Sequence, residues 1–364
     1  MKVNILTQGF RTPNGSSWVS PLITNRHALK ELGLDIYFYT SYKIKVKECD
    51  FLIVDSKYGK HLWKQDRTKL YDFLASLKTS TNKVYFYDLG DSTFSWELGV
   101  LPYVDKLFKT FIFKDKDLYL TRMHGNTIWN EYYFNNFGVQ SKKSFSAVVE
   151  NREYLDKIQL SYSPAFANHS MNSFIWKRGI SPVFRRSFNF SKNFIHPTRI
   201  EDFHPASAYR EGDVSCRMLV SGYSDPIEFH RNKTKSILEK YLSTEKLPRD
   251  SYFREIRNSK MVVSPFGWGE INCPRDYEVA LSGAILLKPS FNHLDTWPPI
   301  FDADTVVQYN WDFSDLEAII SKVLEDHEHY MQYAINLQKQ YKYYTIGKEG
   351  QYEFCKFFMN MIKD

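Results

Sequence analysis

The chain has 364 residues, 43% hydrophobic and 25% charged, with 48 Lys and Arg against 42 Asp and Glu for a net charge of +6. That length supports a sizeable core and about two domains at roughly 100 to 200 residues each, and the composition excludes disordered, collagen-like and disulfide-scaffold chains. No apolar run approaches the ~20 residues of a membrane span, and Met1–Phe10 lacks the apolar stretch of a secretory signal. The expectation is a cytoplasmic protein with at most peripheral membrane contact.

The four cysteines, Cys49, Cys216, Cys273 and Cys355, are far apart without a Cys-x-x-Cys pair, which points to reduced, isolated thiols rather than a zinc site. The modest positive charge favours phosphates, but it is not the concentrated patch of a nucleic-acid binder, so no nucleic-acid partner is expected. Aromatic residues reach 17%, which suits large cores first and carbohydrate faces second.

In chain order, Lys2–Thr7 reads as a strand, Gly9–Trp18 as a turn-rich loop and Pro21–Leu34 as a helix. Strands follow at Asp35–Thr40, Cys49–Ser56 and Lys83–Asp88, with an amphipathic helix at Gly59–Thr79. This alternation implies a parallel α/β sheet. Tyr103–Tyr119 mixes apolar runs with lysines and resists assignment, Lys142–Ser161 reads as a helix, and Ser163–Asn193 as a connecting region with a boundary near His196 and Pro197. Alternation then resumes: strand Val214–Val220, helices Ile227–Leu242 and Arg249–Ser259, strand Met261–Ser264, strand Thr305–Tyr309, helix Phe313–Glu325 and a long helical tail from Tyr330 to Met361.

The segment from Ser264 to Lys288 is the most informative. It reads as strand end, Gly-rich turn, helix and strand: Gly267 and Gly269 permit close backbone approach, Pro274 suits a first helical turn, and Gly283 suits a helix end. A turn opening a helix presents unpaired N–H groups to an anion or to sugar hydroxyls. Glu270 in the turn and Glu278 in the helix can each accept paired hydrogen bonds from hydroxyls, and Arg275 can fork onto a phosphate. After the strand Lys83–Asp88, the acids Asp88, Asp91 and Glu97 lie at the edge where α/β proteins bind ligands, so Asp91 is a candidate base for an acceptor hydroxyl.

Glu270-x7-Glu278, continuing Val-Ala-Leu-Ser-Gly283, resembles the Glu-x7-Glu signature of retaining nucleotide-sugar glycosyltransferases with the GT-B fold. It is also close to exostosin-like domains, whose counterpart segment keeps the second acid more reliably than the first. The resemblance implies two Rossmann-like domains facing each other across a cleft, with a C-terminal helix crossing back to the first. Residues 1–195 would form an acceptor domain, 196–340 a donor domain and 341–364 the returning helix. It further implies that Glu270 faces the transferred sugar and Glu278 the ribose. Gly269, Asn272, Arg231, Lys233 and His293 would contact the donor, and Gly15, Ser16, Ser17 and His124 would line the phosphate or acceptor side. The implied reaction is sugar transfer from a nucleotide-sugar to a glycan or glycolipid hydroxyl, with retention. An inverting exostosin-like transferase, a phosphorylase or epimerase, and a non-catalytic glycan-binding protein are the alternatives. The triplets Asp115-Lys-Asp117 and Asp302-Ala-Asp304 have the form of a metal-binding pair, but positive side chains and a helix dipole can replace a metal at a leaving diphosphate, so no metal or other cofactor is expected.

Overall fold

The computed structural model describes residues 1–41, 46–79, 81–142, 145–170 and 202–363. In chain order its strands are β1 (Lys2–Leu6), β2 (Asp35–Tyr39), β3 (Cys49–Asp55), β4 (Thr81–Asp88), β5 (Lys106–Lys109), β6 (Phe111–Phe113), β7 (Ile158–Leu160), β8 (Gly212–Ser215), β9 (Ser259–Val263), β10 (Ile285–Pro289), β11 (Leu294–Thr296) and β12 (Val307–Tyr309). Six form one parallel sheet in the order β2-β1-β3-β4-β5-β7, and four form a second parallel sheet in the order β12-β10-β9-β8. The alternation of strands and helices expected from the sequence is therefore realised twice. The order 2-1-3-4-5 of the first sheet is that of a doubly wound Rossmann-like unit.

The chain returns at its end to the first sheet. Phe354, Cys355 and Phe358 of the last helix, Gly347–Lys363, share a buried cluster with Val3, Ile5 and Ile53. Tyr85 of β4 donates its hydroxyl to the Ile362 carbonyl there at 2.9 Å. Two Rossmann-like sheets with a terminal helix carried back onto the first is the GT-B arrangement.

Between the sheets lies a small antiparallel pair, β6 with β11, in which Phe113 stands opposite Leu294. One apolar cluster runs through it without a break, from Leu52 and Val54 through Phe113 and Leu294 to Val262 and Leu286. The helix Ile128–Phe137 precedes the connecting region in sequence yet packs with the second sheet: Trp129 stacks on Phe266 at 4.7 Å, and Tyr133 bonds His230 Nδ1 at 2.6 Å. Burial pushes His230 well below its usual value, so this inner histidine is neutral.

Several elements differ from the sequence reading for identifiable reasons. The first helix spans Pro13–Thr24, eight residues earlier than expected, because Thr12 caps it by accepting the Gly15 N–H and Pro13 takes the first helical position. Pro21, read as a helix start, is tolerated inside that helix. The stretch expected as a helix from Lys142 to Ser161 is mostly non-helical: the N–H groups of Ser146 and Val149 pair with Met123 and Tyr119, leaving a short 3-10 turn at Arg152–Lys157 before β7. Tyr103–Tyr119 supplies β5 and β6. The tail divides into His327–Thr345 and Gly347–Lys363 at Gly347, whose φ of +72° lies in the left-handed region. Most of the expected connecting region, with His196 and Pro197, lies outside the described residues. All four cysteines are free, and no described helix is long and apolar enough to cross a membrane.

Candidate functional site

Ligands of open parallel sheets bind beyond the carboxyl ends of the strands. Here three such ends come together. β4 ends at Asp88, β9 at Val263 and β10 at Pro289, and the loops they release, 89–95, 264–273 and 290–293, meet around Glu270.

Glu270 is 1% exposed. Its Oε2 accepts hydrogen bonds from the Thr93 backbone N–H at 3.1 Å and the Thr93 hydroxyl at 2.7 Å, so the second-sheet turn is fastened to the first-sheet loop. Its Oε1 has no hydrogen-bond partner among the described residues; the nearest ionisable group is His293 Nε2 at 3.6 Å, which is also without one. Phe113 and Trp311 flank the His293 ring. The contact between loops is close in the backbone too: a Cβ on Gly269 would stand 2.7 Å from the Asp91 carbonyl, so only glycine fits there without a shift. Asn272 adopts a φ of +63°, accepts the Tyr277 hydroxyl at 2.8 Å, and leaves its buried Nδ2 without a partner among the described residues. A buried polar atom left unpaired costs about 1–3 kcal/mol, and here two, Glu270 Oε1 and Asn272 Nδ2, lie on one loop.

Arg231 is buried in the first half of the helix Asp225–Leu238. It donates from Nε to the Phe266 carbonyl at 2.9 Å and from Nη1 to the Leu219 carbonyl at 2.6 Å, and its guanidinium lies 4.0 Å from the Tyr223 ring. Burial lowers its pKa, and no carboxylate within ion-pair distance compensates it among the described residues. Lys233 is exposed beside the Phe229 ring.

The helix Pro274–Ser282 is placed by a buried network. Asp276 accepts from Lys288 Nζ at 2.9 Å, the Ser264 hydroxyl at 2.8 Å and the Cys273 N–H at 3.2 Å, closing a capping box over the helix start. Glu278 is 8% exposed and bonds Arg249 Nη1 at 3.1 Å; burial raises its carboxyl, and Arg249 opposes that rise. Arg275 donates to the Arg217 carbonyl.

Of the remaining residues singled out by sequence, Asp91 is exposed and accepts from Asn14 Nδ2 at 2.9 Å. Gly15, Ser16 and Ser17 lie in the first turns of the helix Pro13–Thr24, so that helix reaches the loop through Asn14. His124 is buried, stacked on Phe134 at 4.0 Å, and accepts the Ser141 N–H at 2.8 Å; no described contact joins it to Glu270. Asp88 is spent on Lys109 at 2.5 Å and Ser95 at 2.6 Å. Of the Asp-x-Asp triplets, Asp117 pairs with Arg152, while Asp302 accepts from Gln340 at 3.0 Å.

Sequence reasoning missed Thr93, Asn14, Lys109, Asp276 and Lys288. One of these carried a signal: Lys288 is a lysine inside a strand that is otherwise apolar, Ile285–Pro289, where a charge needs a buried partner. Thr93 carried none, since its partner is 177 residues away.

No family model matches this sequence, and no curated protein matches it. Several solved structures align with it at TM-scores below 0.5. The β-glucosyltransferase of T4 phage matches over 100% of both chains at 12% identity with a TM-score of 0.45. An α-glucosyltransferase in complex with UDP and a 13-mer DNA containing a central A:G mismatch matches over 100% of both chains at 12% identity and 0.42. HepE of Anabaena, in complex with UDP and glucose, matches over 94% of this chain and 95% of its own at 10% identity and 0.40.

Proposed function

We propose that the protein is a glycosyltransferase that moves a sugar from a nucleotide-sugar to a hydroxyl of a glycan or glycolipid, with retention of configuration. The observation that carries this reading is the meeting of three strand ends at Glu270, a buried carboxylate with one oxygen that accepts no hydrogen bond from the described residues, on the same loop whose Phe266 carbonyl holds Arg231, a buried cation with no carboxylate partner among the described residues. A sugar hydroxyl satisfies the first and a diphosphate the second. Residues 1–195 serve the acceptor and 196–340 the donor, and the helix Gly347–Lys363 packs back on the first.

In this reading Arg231 and the N-terminal end of the helix Pro274–Ser282 hold the diphosphate as negative charge develops on it, so no metal is needed. Glu270 orients the transferred sugar, Glu278 takes the ribose hydroxyls from Arg249, and the close-packed loops keep water from the donor. The donor phosphate accepts the acceptor's proton. An inverted product would instead assign that proton to Asp91, which lies against the same loop through Gly269.

The test is a thermal-shift panel of UDP, GDP, ADP, CMP and their sugars, with and without EDTA. At least one nucleotide raises the melting temperature, because a ligand of the folded state stabilises it. No shift with any of them overturns the donor class. A shift abolished by EDTA overturns metal independence. Product anomer analysis separates retention from inversion, and transfer to a DNA duplex instead of any saccharide overturns the acceptor class.

A further inference from the structure

Trp268 is set between Gly267 and Gly269, two residues before Glu270, and is 55% exposed, unusual for the largest apolar side chain. The ring is not isolated. Its centroid lies 5.1 Å from that of Tyr223, tilted by 42°, and Tyr223 in turn lies 4.0 Å from the Arg231 guanidinium. Trp268, Tyr223 and Arg231 thus form a short stack, buried at the cationic end and open at the indole. On its other side Trp268 is tied to the first-sheet loop, because Gly269 rests against the Asp91 carbonyl. The turn that carries the indole therefore lies at the seam, with Arg231 behind Tyr223 and the Asp91 backbone against the adjoining Gly269.

We propose that Trp268, braced by Tyr223, is the platform on which the apolar face of the acceptor saccharide stacks. The inference rests on the transferase reading above and adds a specificity-determining residue to it. A sugar ring presents C–H groups on one face and hydroxyls on its edge. The indole supplies flat apolar area for the face, and Asp91 supplies an acceptor for an edge hydroxyl. The seam position selects the acceptor over the donor base, since the base lies on the far side of the ribose, which this reading gives to Glu278. The flanking glycines add no side chains of their own beside the indole, which packs on Tyr223 and stays 55% exposed.

The test uses the full chain labelled with 5-fluorotryptophan, saturated with whichever nucleotide gives the largest thermal shift, and titrated with malto-, cello- and chito-hexaose. The Trp268 resonance is assigned by its loss in Trp268→Phe. The expected result is that at least one oligosaccharide moves that resonance. Trp268→Ala then raises the Kd for it about fivefold to tenfold, the gain of one aromatic stacking contact. Trp268→Phe recovers most of the affinity, and acceptor KM follows the same order with a smaller change in kcat. The proposal is overturned if the nucleotide shift is intact but no saccharide moves the resonance, if Trp268→Ala binds as tightly as the parent, or if a 13-mer DNA duplex moves it instead. If no nucleotide stabilises the protein, it is the transferase reading that fails, and the two failures are thereby distinct.

Discussion

Two buried acids on facing loops make the most instructive comparison in the molecule. Asp88, at the end of β4, is 2% exposed and fully engaged: Lys109 Nζ at 2.5 Å, the Ser95 hydroxyl at 2.6 Å and the Gly90 N–H at 2.8 Å. Burial raises its carboxyl, but the Lys109 ammonium together with the Ser95 and Gly90 hydrogen bonds holds it below the usual range. Glu270, across the seam, is as deeply buried, yet among the described residues only one of its oxygens is hydrogen-bonded, the other facing His293 Nε2 at 3.6 Å. The first acid holds a loop in place, while the second keeps an oxygen in reserve, which a purely structural acid has no reason to do. Location at a strand's carboxyl end therefore does not separate structural from functional acids. Under the transferase reading, saturation of their hydrogen bonds does.

If that distinction is right, substitution should separate stability from activity. Asp88→Asn leaves the Lys109 ammonium buried without a counter-charge, and breaking such a pair costs about 3–5 kcal/mol. An unfolding free energy from urea titration within about 1 kcal/mol of the parent would break the comparison at its structural end.

A third buried acid sharpens it through pH. Asp55 ends β3, accepts N–H groups from Gln8, Lys57 and Tyr58, and is raised by burial from 3.8 to about 6. The folded state then binds this proton more tightly than the unfolded chain, so the stabilisation is present below about pH 4. It is lost as the pH rises through 6, a change of about 3 kcal/mol. Asp55→Asn should flatten the fall in stability between pH 4 and 7 relative to the parent; parallel curves would contradict it.

A smaller effect is expected at the seam. Gly269→Ala places a methyl 2.7 Å from the Asp91 carbonyl, and overpacking of this kind costs about 1–3 kcal/mol. Under the transferase reading it should also lower turnover, because it separates the loops that carry Asp91 and Glu270. Unchanged stability and turnover together would show that the contact yields freely.

Much of the fold was legible in the sequence because it is written locally. Apolar runs bounded by turn residues mark β1, β3, β4, β9 and β10, and the Pro274 to Gly283 punctuation marks the helix between β9 and β10 to within a residue. What was not legible is written across distance. Thr93 and Glu270 are far apart in the chain, the helix Ile128–Phe137 packs against elements that follow it by a hundred residues or so, and Tyr133 reaches His230. Local errors have local causes. Two prolines competed for the first helical position near the start, and the cap Thr12 decided it. At the site, Glu270 and Gly269 were visible as residue types on a Gly-rich turn and Arg231 on an earlier helix, but the hydrogen bonding of Glu270 Oε1 is a property of packing alone.

The central claim, that Glu270 is kept for a ligand, is tested most directly by comparing Glu270→Gln with the parent in both nucleotide-sugar turnover and melting temperature. The account predicts that turnover falls about 100-fold, as when one pre-positioned polar group is lost from a reacting site, while stability stays within about 1 kcal/mol because Thr93 keeps an acceptor. Turnover retained with stability lost would contradict it and make Glu270 a second Asp88.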